Sequence, residues 1–202
     1  IDKLNNDNNI DGILVQMPLP NNINSNIILN RINPSKDIDG LTDISSGKMF
    51  HQNECLLPCT PLGIMNLLDY YHINPIGLHA VVVGRSNLVG KPIANMLLNK
   101  GATVTICHSK TENLSKYTID ADILIVAVGK KHLIKSDMVK DNSIIIDVGI
   151  NRVDDKLYGD VDFDNIKDKA KYITPVPGGV GQMTIAALAK NIYTSYYLNH
   201  KN

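Results

Sequence analysis

Short apolar runs alternate with polar and glycine-rich stretches along this chain. Asp11-Gly12 precedes Ile13-Leu14-Val15-Gln16-Met17, a run that reads as a buried strand ended by Pro18 and Pro20. From Asn22 to Asn33 the residues Ile23, Ile27, Ile28 and Ile32 recur at helical spacing, which predicts a short helix stopped by Pro34. Ser35 to Cys59 holds no sustained period and reads as loop. Thr60-Pro61 then reads as a helix start, with Thr60 as N-cap and Pro61 in the first turn. Ile64, Leu67, Leu68 and Tyr71 give that helix one apolar face, and Asn74-Pro75 and Gly77 end it.

The pattern changes at His79. Ala80 to Val83, Thr103 to Cys107, Ile123 to Val128 and Ser143 to Val148 read as strands, with a helix from Pro92 to Leu98 and other helical stretches between them. Strands alternating with helices at this spacing imply parallel β-α-β units and a twisted sheet. The expected class is α/β: a Rossmann-like parallel sheet domain over residues 79–174, beside an incomplete α/β unit over residues 1–78. Residues 175–202 read as a Pro/Gly hinge and a helical run from Thr184 to Tyr197 that returns to the first unit.

Composition narrows the classes. The chain has 202 residues, 44% of them hydrophobic, enough for a buried core. Its 20 basic and 20 acidic residues balance, so no net field favours nucleic acid or an anionic membrane. No apolar run is long enough to span a bilayer. The 3 cysteines, Cys55, Cys59 and Cys107, make no disulfide framework and read as buried free thiols of a reducing compartment; the expected location is cytoplasmic, with an organelle as the alternative. Cys55 and Cys59 lack a second Cys/His pair, and the 6 histidines form no ligand pair at helical spacing, so no metal site is expected. The chain opens on Ile1, without an initiator Met, and reaches an apolar run almost at once; the expectation is that an N-terminal part precedes it.

Three segments carry chemistry. Gly84-Arg85-Ser86-Asn87-Leu88-Val89-Gly90-Lys91-Pro92 lies between a strand and a helix, the placement of a phosphate-binding loop. It is neither G-x-G-x-x-G nor a Walker A loop, because five residues separate its glycines and Pro92 stands where Ser or Thr should hold Mg²⁺. That disfavours nucleoside triphosphate hydrolysis. It leaves a dinucleotide site, with pyrophosphate at the free N–H groups of the helix start, or a plain βα turn. The second strand ends in Cys107-His108-Ser109-Lys110-Thr111, with no carboxylate to hold a ribose 2′-hydroxyl. Arg85, His108, Ser109 and Lys110 offer charge and hydroxyl donors to a 2′-phosphate, which favours NADP over NAD, unless this is only a solvated basic turn.

Ile173-Thr174-Pro175-Val176-Pro177-Gly178-Gly179-Val180-Gly181-Gln182-Met183-Thr184 is the second segment. Its glycines let backbone approach a ligand, and the helix start behind them offers N–H groups; the plain alternative is a stiff turn into a helix. The third, Lys36-Asp37-Ile38-Asp39-Gly40, is either a turn or a site where a carboxylate grips a planar amidine-like edge through two parallel hydrogen bonds. Gln16 stands at the end of a predicted strand, where side chains line clefts, although a lone Gln is equally readable as structural.

In order, the segments Asp11–Pro20, Lys36–Leu41, Pro58–Pro61, Val83–Pro92, Asp147–Asn151, Gly159–Val161 and Thr174–Thr184 resemble the bifunctional methylenetetrahydrofolate dehydrogenase/methenyltetrahydrofolate cyclohydrolase family along nearly the whole chain. The resemblance implies oxidation of 5,10-methylenetetrahydrofolate with NADP⁺, then hydrolysis to 10-formyltetrahydrofolate, in one cleft between two domains. Asp39 matches the residue that grips the pterin ring, and Gln16 the one that contacts and tunes a catalytic lysine. Pro177 and Gly178 match folate-cleft positions. Gly84, Arg85, Ser86 and Ser109 match the cofactor loop and phosphate positions, and Ile150, Gly181 and Thr184 others around the cofactor. A small-molecule folate substrate and a homodimer, commonly formed through the nucleotide domain, are also implied. The family's lysine, with a Tyr four residues before it, belongs upstream of the Gln16 segment, and Lys3 lies in no such motif. The expectation for the 202-residue chain alone is therefore loss of cyclohydrolase activity, with the dehydrogenase step exposed to the same loss. Rival readings keep the fold and change the enzyme, to a monofunctional or NAD-using dehydrogenase, or make it a non-catalytic NADP- or folate-binding protein.

Overall fold

Residues 1–201 are described by a computed structural model of the chain. The first part is built from small pieces: α1 (Asp2–Asn5), α2 (Ser25–Leu29), a 3₁₀ turn (Pro34–Lys36) and α3 (Asp43–Phe50). The expected strand at residues 13–17 is absent. Ile13 makes a single parallel bridge to Asp37, and its N–H donates to the Lys36 carbonyl at 2.7 Å. One neighbouring segment does not make a sheet, so the apolar run stays extended without a ladder.

The helix expected over residues 22–33 shrinks to α2, because the Asn24 side chain caps it and accepts from the Asn26 and Ile27 N–H groups. The region read as loop contains α3. Only Ser45 and Met49 of it are buried, while Ile44 and Phe50 are exposed, so no apolar period marks it, but the Thr42 hydroxyl caps it by accepting from the Ser45 N–H at 3.1 Å. The next helix, α4 (Cys59–Tyr70), starts two residues earlier than expected, with Pro58 rather than Thr60 at the N-cap. Thr60 lies inside it, and its hydroxyl is free for a tertiary contact. Ile64 and Leu68 of the expected face are fully buried, whereas Tyr71 is exposed.

The remainder is a parallel sheet with helices on both sides. Its elements are β1 (His79–Val83), α5 (Gly90–Asn99), β2 (Thr103–Cys107), α6 (Ser115–Thr118), β3 (Ile123–Val126), β4 (Ile144–Asp147), the antiparallel hairpin β5 (Asn151–Val153) and β6 (Lys156–Tyr158), α7 (Phe163–Ile166), β7 (Tyr172–Ile173) and α8 (Val180–Asn199). The strand order β2-β1-β3-β4-β7 is parallel throughout, so the α/β class and Rossmann-like sheet hold. Alternate side chains of the strands serve two cores. Val82, Ile123 and Ile125 pack with Ile64, Leu68, Ile93 and Leu97 from α4 and α5, while Val81, Leu124 and Val126 pack with Ile134, Val139 and Ile166 on the other face. Each fully buried Leu or Ile contributes about 1.5–3 kcal/mol, which makes this sheet the rigid support for the loops at its ends.

The last helix begins at Val180, four residues before the expected Thr184, so Gly181 and Thr184 lie in its first turns. It packs along α4. Near its far end the buried Ser195 hydroxyl donates to the Ser35 carbonyl at 2.8 Å and to the Asp11 carbonyl.

Candidate functional site

The strand order changes direction at β1, with β2 on one side and β3 on the other, and ligands of open parallel sheets bind at the carboxyl ends of such strands. There, Gly84, Arg85, His108, Ser109, Thr111, Val128 and Lys130 line a cavity of about 430 Å³. Gly84 has φ +132°, and a Cβ on it would stand 2.5 Å from the Ala127 carbonyl oxygen. A Cβ on Gly90 would collide with the Gly84 carbonyl. The loop therefore closes tightly on itself and leaves bare backbone toward the cavity. Ser86 is exposed but engaged with the loop: its hydroxyl accepts from the Val89 and Gly90 N–H groups at 3.1 and 3.3 Å and holds the loop onto α5. At the end of β2 the Thr111 hydroxyl accepts from the His108 N–H at 2.9 Å, which rolls the turn and leaves Ser109 and Lys110 exposed. A bare glycine loop with cationic and hydroxyl donors, and no carboxylate at the β2 end, fits a dinucleotide bearing a 2′-phosphate.

A second region has two parts. Gln16, Asp39, Pro58, Cys59, Thr60, Leu88, Val89 and Thr184 line a cavity of about 300 Å³. Thr60, Asp147, Gly149, Ile150, Pro177, Gly178, Gly181 and Thr184 line another of about 420 Å³. Thr60 and Thr184 belong to both, and their hydroxyls lie 3.0 Å apart, so the two cavities meet at this hydrogen bond. The fold thus brings Gln16 and Asp39 to one side of the Thr pair and Ile150, Pro177, Gly178 and Gly181 to the other. Gly84, Arg85 and Ser109 lie on the separate nucleotide cavity, and Ser86 lines none of these three.

The two aspartates of the Lys36–Gly40 segment separate in role. Asp37 is buried, and its carboxylate accepts from the Leu41 and Thr42 N–H groups and the Ser45 hydroxyl at 3.1, 2.9 and 2.8 Å. Asp37 is therefore spent on structure. Asp39 is half-buried and faces the cleft. Burial pushes its carboxyl up, opposed by the Cys59 thiol and supported by the charge of Asp37. Burial also pushes the Cys59 thiol up to about 12, reinforced by the Asp39 charge. Gln16 is exposed at the mouth, its side-chain amide donating to the Met17 carbonyl at 3.0 Å.

Sequence reasoning missed Thr60, Cys59 and Asn191. Asn191 is 3% exposed, and its amide donates to the Ile38 and Leu57 carbonyls at 2.9 and 2.8 Å, fixing the residue before Asp39 and the segment leading into α4 to the same helix. A signal existed: Val180, Ala187, Asn191 and Ser195 form the buried stripe of α8, and a polar residue on such a stripe needs partners.

A parallel sheet with a glycine loop at its strand reversal, opening beside a carboxylate-bearing cleft, defines a dinucleotide-binding α/β enzyme. Residues 58–200 match the family model of the tetrahydrofolate dehydrogenase/cyclohydrolase NAD(P)-binding domain, and residues 1–39 match that of the catalytic domain. The chain belongs to the tetrahydrofolate dehydrogenase/cyclohydrolase family. It is 55% identical over 192 residues to the bifunctional protein FolD of Campylobacter concisus, covering 95% of this chain and 68% of that protein. The crystal structure of the bifunctional FolD dehydrogenase/cyclohydrolase from Campylobacter jejuni superposes with a TM-score of 0.95 at 53% identity, covering 96% of this chain and 70% of that one. The Trypanosoma brucei dehydrogenase-cyclohydrolase, solved with NADP cofactor and inhibitor, gives a TM-score of 0.95 at 35% identity over 100% of this chain and 71% of that one. Among the described residues no helix is long and apolar enough to cross a membrane.

Proposed function

We propose that this chain carries the nucleotide site and much of the folate cleft of a bifunctional enzyme. The enzyme oxidises 5,10-methylenetetrahydrofolate with NADP⁺ to the 5,10-methenyl cation and NADPH. It then adds water to that cation, giving 10-formyltetrahydrofolate and a proton. The observation that carries this reading is the meeting, at the Thr60–Thr184 hydrogen bond, of a cavity holding Asp39 and Gln16 with one walled by Pro177, Gly178 and Ile150.

Asp39 is the group that orients substrate. Its half-buried carboxylate accepts from the paired N–H groups of the pterin edge, a bidentate contact strengthened by low polarity around it. The Pro177-Gly178 backbone bounds the opposite part of the cleft and limits water there. Gly84, Ser86 and Gly90 shape the loop that receives pyrophosphate, Arg85 and Ser109 take the 2′-phosphate, and Ile150, Gly181 and Thr184 border the nicotinamide side. When bound, NADP⁺ supplies the hydride acceptor. Gln16 sits where it can hold a proton-transferring group at the cleft mouth. No lysine lines either part of the cleft among the described residues. The 202-residue chain alone should therefore bind ligands yet hydrolyse methenyltetrahydrofolate no faster than buffer, and clear hydrolysis by it would overturn this point.

We also propose a homodimer formed through the nucleotide-binding part, because Leu98, Ile106 and Ile119 leave apolar side chains exposed on it away from the cavities. A cytoplasmic location suits its free thiols.

The test follows NADPH and methenyltetrahydrofolate together, in full-length protein given methylenetetrahydrofolate and NADP⁺. NADPH formation with formyl product and little methenyl accumulation supports the bifunctional reading. Accumulating methenyl product would reduce it to a dehydrogenase, and no turnover with either NADP⁺ or NAD⁺ would overturn it.

A further inference from the structure

We propose that Asp160 is a positioning residue that ties the nucleotide cavity to the folate cleft, so that the occupation of one favours the occupation of the other. This rests on the functional reading above. Asp160 is 0% exposed and lies just after the β5–β6 hairpin. One carboxylate oxygen accepts from the Val128 and Gly129 N–H groups at 2.7 and 2.9 Å. The other accepts from the Lys130 N–H at 2.7 Å and from the Asn151 side-chain amide at 2.9 Å. Val128 and Lys130 line the nucleotide cavity, whereas Asn151 directly follows Ile150, which borders the nicotinamide side of the cavity that the Pro177-Gly178 wall of the folate cleft also lines. One side chain therefore holds a wall of each.

A second carboxylate locks this one in place. Asp147, at the end of β4, accepts from the Gly149, Asp160 and Val161 N–H groups at 3.0, 2.9 and 2.9 Å. Its own N–H donates to the Thr174 hydroxyl at 2.8 Å, which continues the network into the Pro175–Gly179 wall of the cleft. Among the described residues neither carboxylate pairs with a Lys or Arg side chain, so N–H groups alone compensate the two buried charges. A Cβ on Gly149 would collide with the Asp160 carboxylate, and one on Gly159 with that of Asp147. Both glycines vacate space that the acids fill. Such a contiguous network of short, charge-assisted bonds transmits a displacement of the 128–130 turn to Asn151, where a loop resting on solvent would absorb it.

The test is titration calorimetry on the full-length protein, with NADP⁺ and with 5-formyltetrahydrofolate, which has no hydride to transfer, each alone and each in the presence of the other. In the natural protein NADP⁺ is expected to tighten folate binding by about tenfold, and Asp160→Asn to bring that factor to within about twofold of unity. If Asp160→Asn does not fold, Asn151→Ala decides. It breaks the cleft-side link at a part-exposed residue, together with the longer 3.3 Å bond of the same amide to the Tyr158 carbonyl, and should likewise abolish the coupling. Variants that lower affinities or Tm while keeping the tenfold factor would overturn the inference, since that pattern is merely structural. Independent binding in the natural protein would overturn it while leaving the functional reading intact. Binding of neither ligand would overturn both.

Discussion

Asn191 and Ile38, 153 residues apart in sequence, are joined by a buried 2.9 Å hydrogen bond from the Asn191 amide to the Ile38 carbonyl. The same amide nitrogen donates to the Leu57 carbonyl at 2.8 Å. The final helix therefore sets the backbone that presents Asp39. Asn191→Ala leaves two buried carbonyls without this donor and should cost about 2–4 kcal/mol of stability. The KM for folate should rise with little change in the KM for NADP⁺. Denaturant unfolding and steady-state kinetics check both parts, and an equal rise in both KM values would contradict the assignment.

Asp39→Asn keeps the shape and removes the charge. Loss of a bidentate, charge-assisted contact should weaken folate binding by about tenfold to a hundredfold. NADP⁺ affinity should be preserved. Calorimetric titration of each ligand separates the two effects.

Arg85→Ala probes the choice of dinucleotide. On the proposed role of Arg85 at the 2′-phosphate, its removal should weaken NADP⁺ by about tenfold to a hundredfold, and NAD⁺ by no more than about twofold. Parallel loss of both nucleotides would show that Arg85 acts on the loop rather than on the phosphate.

Asp147 gives a pH dependence. Burial raises its carboxyl to about 6; three backbone N–H groups oppose the rise and Asp160 adds to it. Between about pH 4 and about pH 6 the unfolded chain releases this proton while the folded chain keeps it. The stability contributed by this group is full at low pH and falls as pH rises. Relative to Asp147→Asn, the natural protein should lose up to about 3 kcal/mol across that window. Urea unfolding of both proteins at a series of pH values measures this difference, and a flat difference would refute it.

The thiols should differ in reactivity. Cys59 is buried beside Asp39 and pushed up to about 12, so it stays protonated near neutral pH. Cys55 is raised by burial too, but it is only half-buried. Iodoacetamide should label Cys55 before Cys59, as read by peptide mass spectrometry. Faster labelling of Cys59 would show that the Asp39 pocket opens.

The sheet was legible because its strands are buried on both faces and read as nearly unbroken apolar runs, as in Ala80–Val83 and Ile123–Val126. The glycine loop was legible because glycine and Pro92 mark a backbone conformation directly. Ile13–Met17 misled because an apolar run states only that a segment is buried, and a strand also needs a partner with a matching ladder. Helix α3 escaped because its cap, not an apolar face, defines it. Asp37 and Asp39 could not be told apart locally, since two residues of the same type in one turn differ only in what surrounds them.

The sequence by itself determined the α/β class, the dinucleotide loop and the family, because these rest on local periodicity, glycine placement and ordered motifs. Tertiary structure alone decided that Asp37 is structural and Asp39 faces the cleft, that Thr60 meets Thr184, and that Asn191 and Asp160 hold loops from distant parts of the chain. The physical reason is that a buried hydrogen bond is defined by its partner, and these partners are brought together only when α8 and the β5–β6 hairpin pack against the rest.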